Sequence, residues 1–155
     1  MNFKTQVENL LTKSLDENPD LFLINLTITI DNRIRVILDS DKSVSLKDCV
    51  KVSRDIEHNL DRDLTDFGIE VSSVAANEPL INTRQYFKNI GRKLSVNDLD
   101  GNKYEGILKS VNESEIGIEW KQRQPKKIGK GKETVTINKT LSYSRIVQSK
   151  VVLKF

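Results

Sequence analysis

Cysteine and histidine are almost absent from this chain, in which Cys49 and His58 are the only examples of each type. One cysteine cannot form an intramolecular disulfide, and one cysteine with one histidine cannot fill a tetrahedral zinc site. Nine residues separate the two, so on a helix their side chains would point about 180° apart. The sequence therefore gives little support to a Cys–His catalytic pair, and we expect Cys49 in the core and His58 on the surface.

Long apolar runs are also lacking, and no stretch approaches the roughly 20 residues that a membrane-spanning helix needs. The first residues show no basic segment followed by an apolar stretch, so we expect no signal peptide and no membrane partner. Together with the single cysteine, these features predict a cytoplasmic protein. Hydrophobic residues make up 37% and charged residues 30% of the chain, which indicates a globular fold.

Motifs for metal or nucleotide chemistry are incomplete. Residues 39–43 begin like a calcium loop, but Val44 replaces its turn glycine and Val50 its closing glutamate. Residues 129–133 suggest a phosphate-binding loop, but the glycine spacing is wrong and Glu133 replaces the magnesium-binding Ser or Thr. We therefore expect no catalytic residue, no cofactor and no metal, and a protein that is not an enzyme.

Charge is unevenly distributed, although the net charge is only +3. Residues 1–90 contain 11 Lys and Arg against 15 Asp and Glu, a balance of −4, whereas residues 91–155 contain 14 against 7, a balance of +7. A merely solvated surface could have this composition, because only clustering distinguishes a binding surface. The basic half nevertheless favours a polyanionic partner, of which nucleic acid is the abundant example.

The first half alternates between helical and strand periodicity. Pro19 ends the first helix, and Ser45 with Asp48 resembles a capping box at the start of the second. The apolar stripe of the second helix consists of Cys49, Val52, Ile56 and Leu60, with Leu46 and Val50 beside it. Ile30 is expected on the covered face of the first strand, and Ile34, Val36 and Leu38 on one face of the second. The order αββαβ predicts a three-stranded sheet with two helices against one face. The predicted elements span residues 2–17, 21–30, 33–39, 45–62 and 67–76.

The second half reads as a series of short strands. A short helix over residues 83–91 ends at Gly91, and we place a domain boundary there. The Asp100-Gly101 pair predicts a hairpin turn. Five short strands in the remaining roughly 60 residues predict a small β-barrel.

The basic residues of this half concentrate in residues 121–132, which contain six cations and no acid. Proline and glycine predict a projecting loop, which could neutralise phosphates by releasing counterions. It lacks aromatic side chains for stacking on bases, and a solvated hairpin tip is the alternative interpretation. The candidate nucleic-acid-binding residues are Lys121, Arg123, Lys126, Lys127, Lys130 and Lys132, assisted by Arg92, Lys93 and Arg145.

Several motifs, in their order and spacing, resemble those of the RimP family of ribosome maturation factors. Glu70-Val71-Ser72-Ser73 followed by Glu78-Pro79-Leu80 resembles the central signature of that family. Val74-Ala75 and Asn77-Glu78 depart from it, since the family has Pro-Gly and Asp-Arg there. Other similar segments are Ile34–Asp39, Val44–Cys49, Tyr86–Gly91 and Lys103–Leu108.

The resemblance implies an α+β protein with an N-terminal αββαβ domain over residues 1–82, a linker helix over 83–91 and a C-terminal SH3-like or Sm-like barrel over 92–155. It implies a factor for assembly of the small (30S) ribosomal subunit, which binds immature subunits near the future decoding region through rRNA and a ribosomal protein. It implies no catalysis and no cofactor.

Opposite charge would steer the acidic N-terminal domain towards a basic ribosomal protein and the basic barrel towards rRNA. We expect the protein to act as a monomer. An Sm-like regulator that acts on free RNA is the alternative, and proteins of that kind usually form rings.

Overall fold

The computed structural model describes residues 2–153, and packing divides the chain into two compact units between Ala75 and Ala76. None of the described helices is long and apolar enough to cross a membrane. Lys154 and Phe155, which the sequence assigns to the C-terminal domain, lie outside the described residues.

The first unit has the predicted αββαβ order, with a three-stranded sheet. Its elements are helix α1 (Phe3–Asp16), strands β1 (Leu21–Ile28) and β2 (Arg33–Ser40), helix α2 (Leu46–Glu57) and strand β3 (Gly68–Ser73). The central strand β2 is antiparallel to β1 and parallel to β3. One core cluster joins both helices to this sheet through Val7, Leu11, Leu21, Ile34, Val36, Leu38, Val52, Ile56 and Phe67.

Helix α2 begins at a capping box. The Ser45 hydroxyl accepts the Asp48 N–H at 3.1 Å, and the Asp48 carboxylate accepts the Ser45 N–H at 3.0 Å. These hydrogen bonds satisfy backbone donors that the first helical turn leaves unpaired. Cys49 is buried and burial raises the pKa of its thiol, whereas His58 is exposed at the end of the helix, as predicted.

One prediction about apolar positions in this unit is wrong. Strand β1 ends at Ile28, so Ile30 lies in the following turn and is fully exposed. Leu46 is 82% exposed and Val50 is also exposed, because the stripe that meets the core consists of Cys49, Val52 and Ile56.

A bulge between Leu23 and Asn25 changes the alternation of β1. Leu21 before the bulge and Leu26 and Ile28 after it therefore pack on the same core. An inserted residue reverses the phase of a strand, which strict period-two alternation does not predict.

A polar contact links α1 to α2. The Ser14 hydroxyl donates to the Asp55 carboxylate at 2.7 Å, and the Lys51 ammonium donates to Asp55 at 2.8 Å and to Glu17 at 2.9 Å. The hydrogen bond from Lys51, followed by that from Ser14, holds the pKa of Asp55 below its ordinary 3.8. The hydrogen bonds of the Lys51 ammonium to Asp55 and, second, to Glu17 raise the pKa of Lys51 to about 12.

The second unit begins with helix α3 (Thr83–Lys88) and continues as a five-stranded antiparallel sheet in the order β7-β6-β5-β4-β8. Within residues 2–153 no ladder joins the edge strands β7 and β8, so strand pairing does not close the sheet. The remaining elements are β4 (Lys93–Asp98), β5 (Lys103–Val111), β6 (Glu115–Pro125), β7 (Lys132–Ser142), a 3₁₀ turn (Tyr143–Arg145) and β8 (Ile146–Val151).

Helix α3 packs with this second sheet. Tyr86 lies in the core formed with Leu94, Val96 and Leu108, and its hydroxyl hydrogen-bonds to Ser149. Gly91 follows the helix at φ 93°, a left-handed conformation that favours glycine. The domain limits that the sequence suggests at residues 82 and 91 stay a prediction.

We expect Ile56→Ala to lower the free energy of unfolding by about 2–5 kcal/mol, because it leaves a cavity in the first core. Leu46→Ala in the same helix is the control, and it should change this free energy by less than about 0.5 kcal/mol. Urea unfolding followed by circular dichroism measures both. Equal destabilisation of the two variants would contradict the described packing of α2.

We expect acid to weaken the link between α1 and α2. The pKa of Asp55 is lower in the folded protein than in the unfolded chain, so on acidification the unfolded chain takes up this proton first. The contribution of Asp55 to the free energy of unfolding is therefore complete above about pH 5. It is lost as the pH falls through the pKa of the folded protein. Asp55→Asn should therefore be less stable at pH 7 and lose less stability between about pH 5 and 3. Urea midpoints over this range test the expectation, with Asp16→Asn, an exposed carboxylate of α1, as control.

Candidate nucleic-acid interface

The outer part of the β6–β7 hairpin is a two-stranded ribbon. The ladder between β6 and β5 ends at the pair Ile107–Glu119, whereas that between β6 and β7 continues to Pro125–Lys132. We call residues 121–136 the basic ribbon. It comprises the outer halves of both strands and the connecting turn.

The prediction of a projecting loop over residues 121–132 is wrong for half of its length. Strand β6 continues to Pro125, strand β7 begins at Lys132, and only the six residues between them form a turn. The polar residues of this part of β6 do not show the alternation of apolar side chains that marks a half-buried strand. Pairing with Thr134 and Thr136, whose β-branched side chains favour extended backbone, completes the ribbon.

The register of the ribbon gathers cations on one face. Lys121 pairs with Thr136, Arg123 with Thr134 and Pro125 with Lys132. Paired residues share a face, and successive residues of one strand alternate between faces. One face therefore carries three of the predicted cations and two threonine hydroxyls, and we call it the cationic face. The opposite face carries Gln122, Gln124, Glu133 and Val135.

The other three cations of the predicted set lie in the turn. The N–H of Lys126 donates to the carbonyl of Gly131 at 3.1 Å, which closes the turn. Gly129 and Gly131 have φ values of 86° and 94°, which glycine adopts without strain. Lys126, Lys127 and Lys130 are all exposed, so positive charge continues from the cationic face around the turn.

None of the six ribbon cations forms an ion pair with any residue between 2 and 153. Elsewhere in this unit several acids already have partners. Glu119, two residues before Lys121 and on the same face, lies 3.6 Å from Lys109. The ribbon therefore exposes uncompensated positive charge, which anionic groups of a partner can neutralise.

The three assisting cations differ from the ribbon in their contacts. The Lys93 ammonium lies 3.6 Å from the Glu105 carboxylate, and the Arg145 guanidinium hydrogen-bonds to Asp100. Arg92 is exposed and has no ion pair with a described residue. The positive charges of two of the three assisting cations are thus partly neutralised by acids of the same unit.

Sequence reasoning missed Thr134 and Thr136 as members of this surface. Their hydroxyls can donate hydrogen bonds to phosphate oxygens beside the charged groups. Lys121 and Arg123 are two residues apart, as are the two threonines, and this shared spacing could have indicated that all four lie on one face of a hairpin. That inference also needs the pairing register of the hairpin, which the sequence does not specify directly.

Aromatic side chains lie beside the inner end of the ribbon, on the core side of the sheet. The rings of Tyr104 and Trp120 are 6.1 Å apart, and the Lys139 ammonium lies 5.6 Å from the centre of the Tyr104 ring. Both rings are half-buried and pack against the second core. Among residues 2–153, no three His, Cys, Asp or Glu side chains are grouped so that they could hold a metal ion.

Comparison with known proteins places the chain in a family. Residues 12–75 match the model of the RimP N-terminal domain. The chain is 49% identical to the ribosome maturation factor RimP of Christiangramia forsetii, over 98% of this chain and 99% of that protein. The chain belongs to the RimP family.

Two further relatives support this membership over the whole length. The RimP of Flavobacterium psychrophilum is 45% identical across all of both chains, and that of Cytophaga hutchinsonii is 29% identical across all of this chain and 96% of its own. Membership confirms the resemblance seen in the motifs. The matched N-terminal RimP domain ends at Ala75, where packing also divides the two units, so the basic ribbon lies outside that domain.

Replacing Lys121, Arg123 and Lys132 together with glutamine should change the free energy of unfolding by no more than about 0.5 kcal/mol, because no described residue pairs with them. Urea unfolding measures this. Arg62→Gln is the contrasting variant, since the Arg62 guanidinium donates to the Phe67 carbonyl at 2.8 Å and pairs with Glu57 at 2.9 Å. A ribbon variant as unstable as Arg62→Gln would contradict the description of an uncompensated surface.

Proposed function

We propose that this chain is a non-enzymatic ribosome maturation factor that binds immature small (30S) subunits in the cytoplasm, near the future decoding region. Membership of the RimP family, whose relatives are named ribosome maturation factors, supports a role in ribosome maturation. The basic ribbon, with six cations that have no ion pair among the described residues, is the observation that carries the contact with rRNA. We further propose that the five strands of the second unit form an SH3-like barrel that supports the ribbon.

In this proposal the ribbon binds the phosphate backbone. Its cationic face presents Lys121, Arg123 and Lys132 on paired strands, so their spacing is set by the sheet rather than by a flexible loop. The β6–β7 ladder has no bulge or register shift along its length, which favours a defined geometry. Such contacts would position the factor on RNA by charge and shape, without reading the base sequence.

The first unit would bind a basic ribosomal protein. Residues 1–75 contain 9 Lys and Arg against 14 Asp and Glu, a balance of −5, whereas residues 76–155 contain 16 against 8, a balance of +8. Three exposed acids, Asp61, Asp63 and Asp66, lie in the segment between α2 and β3. Arg62 in the same segment is neutralised by Glu57, so the segment presents net negative charge.

A shallow groove with a mixed polar and apolar lining includes one of these acids, Asp61. Phe3 and Leu60 line it together with Leu64, which is 84% exposed, and its volume is about 130 Å³. Opposite charge would accelerate encounter with a basic protein, and an apolar contact at the groove would add specificity. The factor would thus hold two components of an unfinished subunit and leave when the mature surfaces compete for its sites.

Pelleting with immature small subunits at increasing salt tests the rRNA contact. Replacing all six ribbon cations with glutamine should weaken binding and flatten the plot of log affinity against log salt, by about 0.7–0.9 for each phosphate that the variant no longer neutralises. The triple variant of Lys121, Arg123 and Lys132 should lie between wild type and the sixfold variant. Replacing Lys4, Lys13 and Lys47 of the first unit with glutamine removes the same charge as the triple variant and is its control.

Unchanged binding of the sixfold variant, or equal weakening by the triple variant and its control, would reject the ribbon as the rRNA contact. Light scattering on the free protein separates this proposal from the Sm-like alternative. A monomer is expected here, and a stable ring would favour a regulator that acts on free RNA.

A further inference from the structure

An apolar residue lies in the middle of the turn that ends the basic ribbon. Ile128 is 90% exposed and is flanked by Lys127 and, beyond Gly129, by Lys130. It belongs to neither of the two core clusters. Its side chain therefore adds little to the stability of the fold.

The residue type is unusual for this position. Tight turns favour Gly, Asn, Asp, Ser and Pro, and each of these has a conformational reason to be there. A β-branched apolar side chain has none, and exposing it to water brings no gain in folding. Single exposed apolar residues are common, so the significance of Ile128 lies in its place at the end of a cationic ribbon.

Resting on the assignment of the ribbon to rRNA, we propose that Ile128 is a wedge that packs against an unstacked base of the bound RNA. The ligand class is an RNA helix that is interrupted by a bulge or an internal loop. The cations would hold the phosphates on either side, and the turn would bring Ile128 to the interruption. Architectural proteins that bend DNA offer a parallel, because they insert apolar side chains between base steps beside basic residues.

The accessibility of bases in RNA favours an interrupted helix over a continuous one. Five paired rows extend about 17 Å, at about 3.4 Å per residue, from the sheet to the turn. A continuous A-form helix keeps its bases stacked, and its deep major groove is too narrow for side chains to read. At a bulge the bases are splayed and become accessible, which gives an apolar side chain a surface to cover.

A membrane surface is the other partner that a basic loop with an apolar tip could fit. The ribbon argues against it, because Gln122, Gln124 and Glu133 occupy the face opposite the cations. Ile128 is the one large apolar side chain of the turn, and anchoring of that size gives marginal, reversible binding to a bilayer. The cations of the ribbon therefore match a phosphate backbone, and its single exposed apolar side chain matches one accessible base.

The test uses the full-length protein and two RNA hairpins of equal length, one continuous and one with a three-nucleotide bulge. A 2-aminopurine beside the bulge reports unstacking by a rise in fluorescence. Wild type should bind the bulged RNA about tenfold more tightly than the continuous RNA and raise the fluorescence. Ile128→Ser should lose both effects while keeping its affinity for the continuous RNA and the same salt dependence, because no charge has changed.

Two control variants isolate the apolar contact. Ile128→Leu should retain the preference for the bulge, since it keeps a side chain of similar size. Leu99→Ser removes another exposed apolar side chain of the same unit, 59% exposed and within the turn that follows β4, and should behave as wild type. If Ile128→Ser still prefers the bulged RNA and still raises the 2-aminopurine fluorescence, the proposal is overturned.

The remaining outcomes separate this proposal from the function on which it rests. If the triple glutamine variant of Lys121, Arg123 and Lys132 weakens binding to the bulged RNA but Ile128→Ser does not, only the wedge fails. If neither variant changes binding to the bulged RNA, the ribbon is not the RNA contact and both proposals fail. Co-sedimentation with anionic vesicles that Ile128→Ser abolishes would assign the turn to a membrane surface and overturn the proposal.

Discussion

The period-two geometry of strand β6 is the constraint on which the rest of the second unit depends. In its inner half, Ile116 and Ile118 are buried in the core, and the alternate positions face solvent. In its outer half the same alternation puts Lys121 and Arg123 on the solvent face. One strand therefore anchors the sheet and presents the cations, and a shift of one residue in register would exchange the two faces.

One close approach of the backbone helps to maintain this register. A side chain at Gly106 would place its Cβ 2.8 Å from the Glu119 carbonyl oxygen, so β5 and β6 could not pack as they do with a larger residue there. At Gly117 an added Cβ would meet only the Ser110 hydroxyl, which can rotate away. Gly106 thus aligns β5 with β6 immediately before the ribbon begins, so the geometry of the ribbon follows from packing at its base.

The concentration of cations without an ion pair distinguishes the ribbon from the rest of the described surface, since six of them lie within residues 121–132. In the first unit Lys51 and Arg62 are neutralised by neighbouring acids, and in the second Lys93, Lys109 and Arg145 are also paired. These ion pairs are local and exposed, and each contributes little to stability. Cations that lack such partners repel one another and contribute nothing to folding, which is consistent with a surface kept for binding.

Much of the fold could be predicted from the sequence, because apolar side chains repeat with clear periods. The capping box at Ser45, the stripe through Val52 and Ile56, and the alternation in β2 all agree with the structure. The exceptions have physical causes. A bulge changed the phase of β1, and a polar strand in the ribbon lacked the apolar alternation that reveals strands.

The candidate site was predictable in composition but not in shape. Residues 121–132 visibly contain a run of cations. How these cations divide between a strand face and a turn depends on pairing with β7. Ile128 was overlooked for the same reason, since an isolated apolar residue has no meaning until the ribbon places it at a tip. Long-range pairing is the information that local patterns do not contain.

Chemical footprinting of lysines tests the central claim most directly. Amine acetylation of the protein, free and bound to immature small subunits, can be quantified at each lysine by mass spectrometry. Binding should slow modification of Lys121, Lys126, Lys127, Lys130 and Lys132 and leave Lys13 and Lys47 of the first unit unchanged. Ribbon lysines that react as fast in the complex as in the free protein would contradict the account.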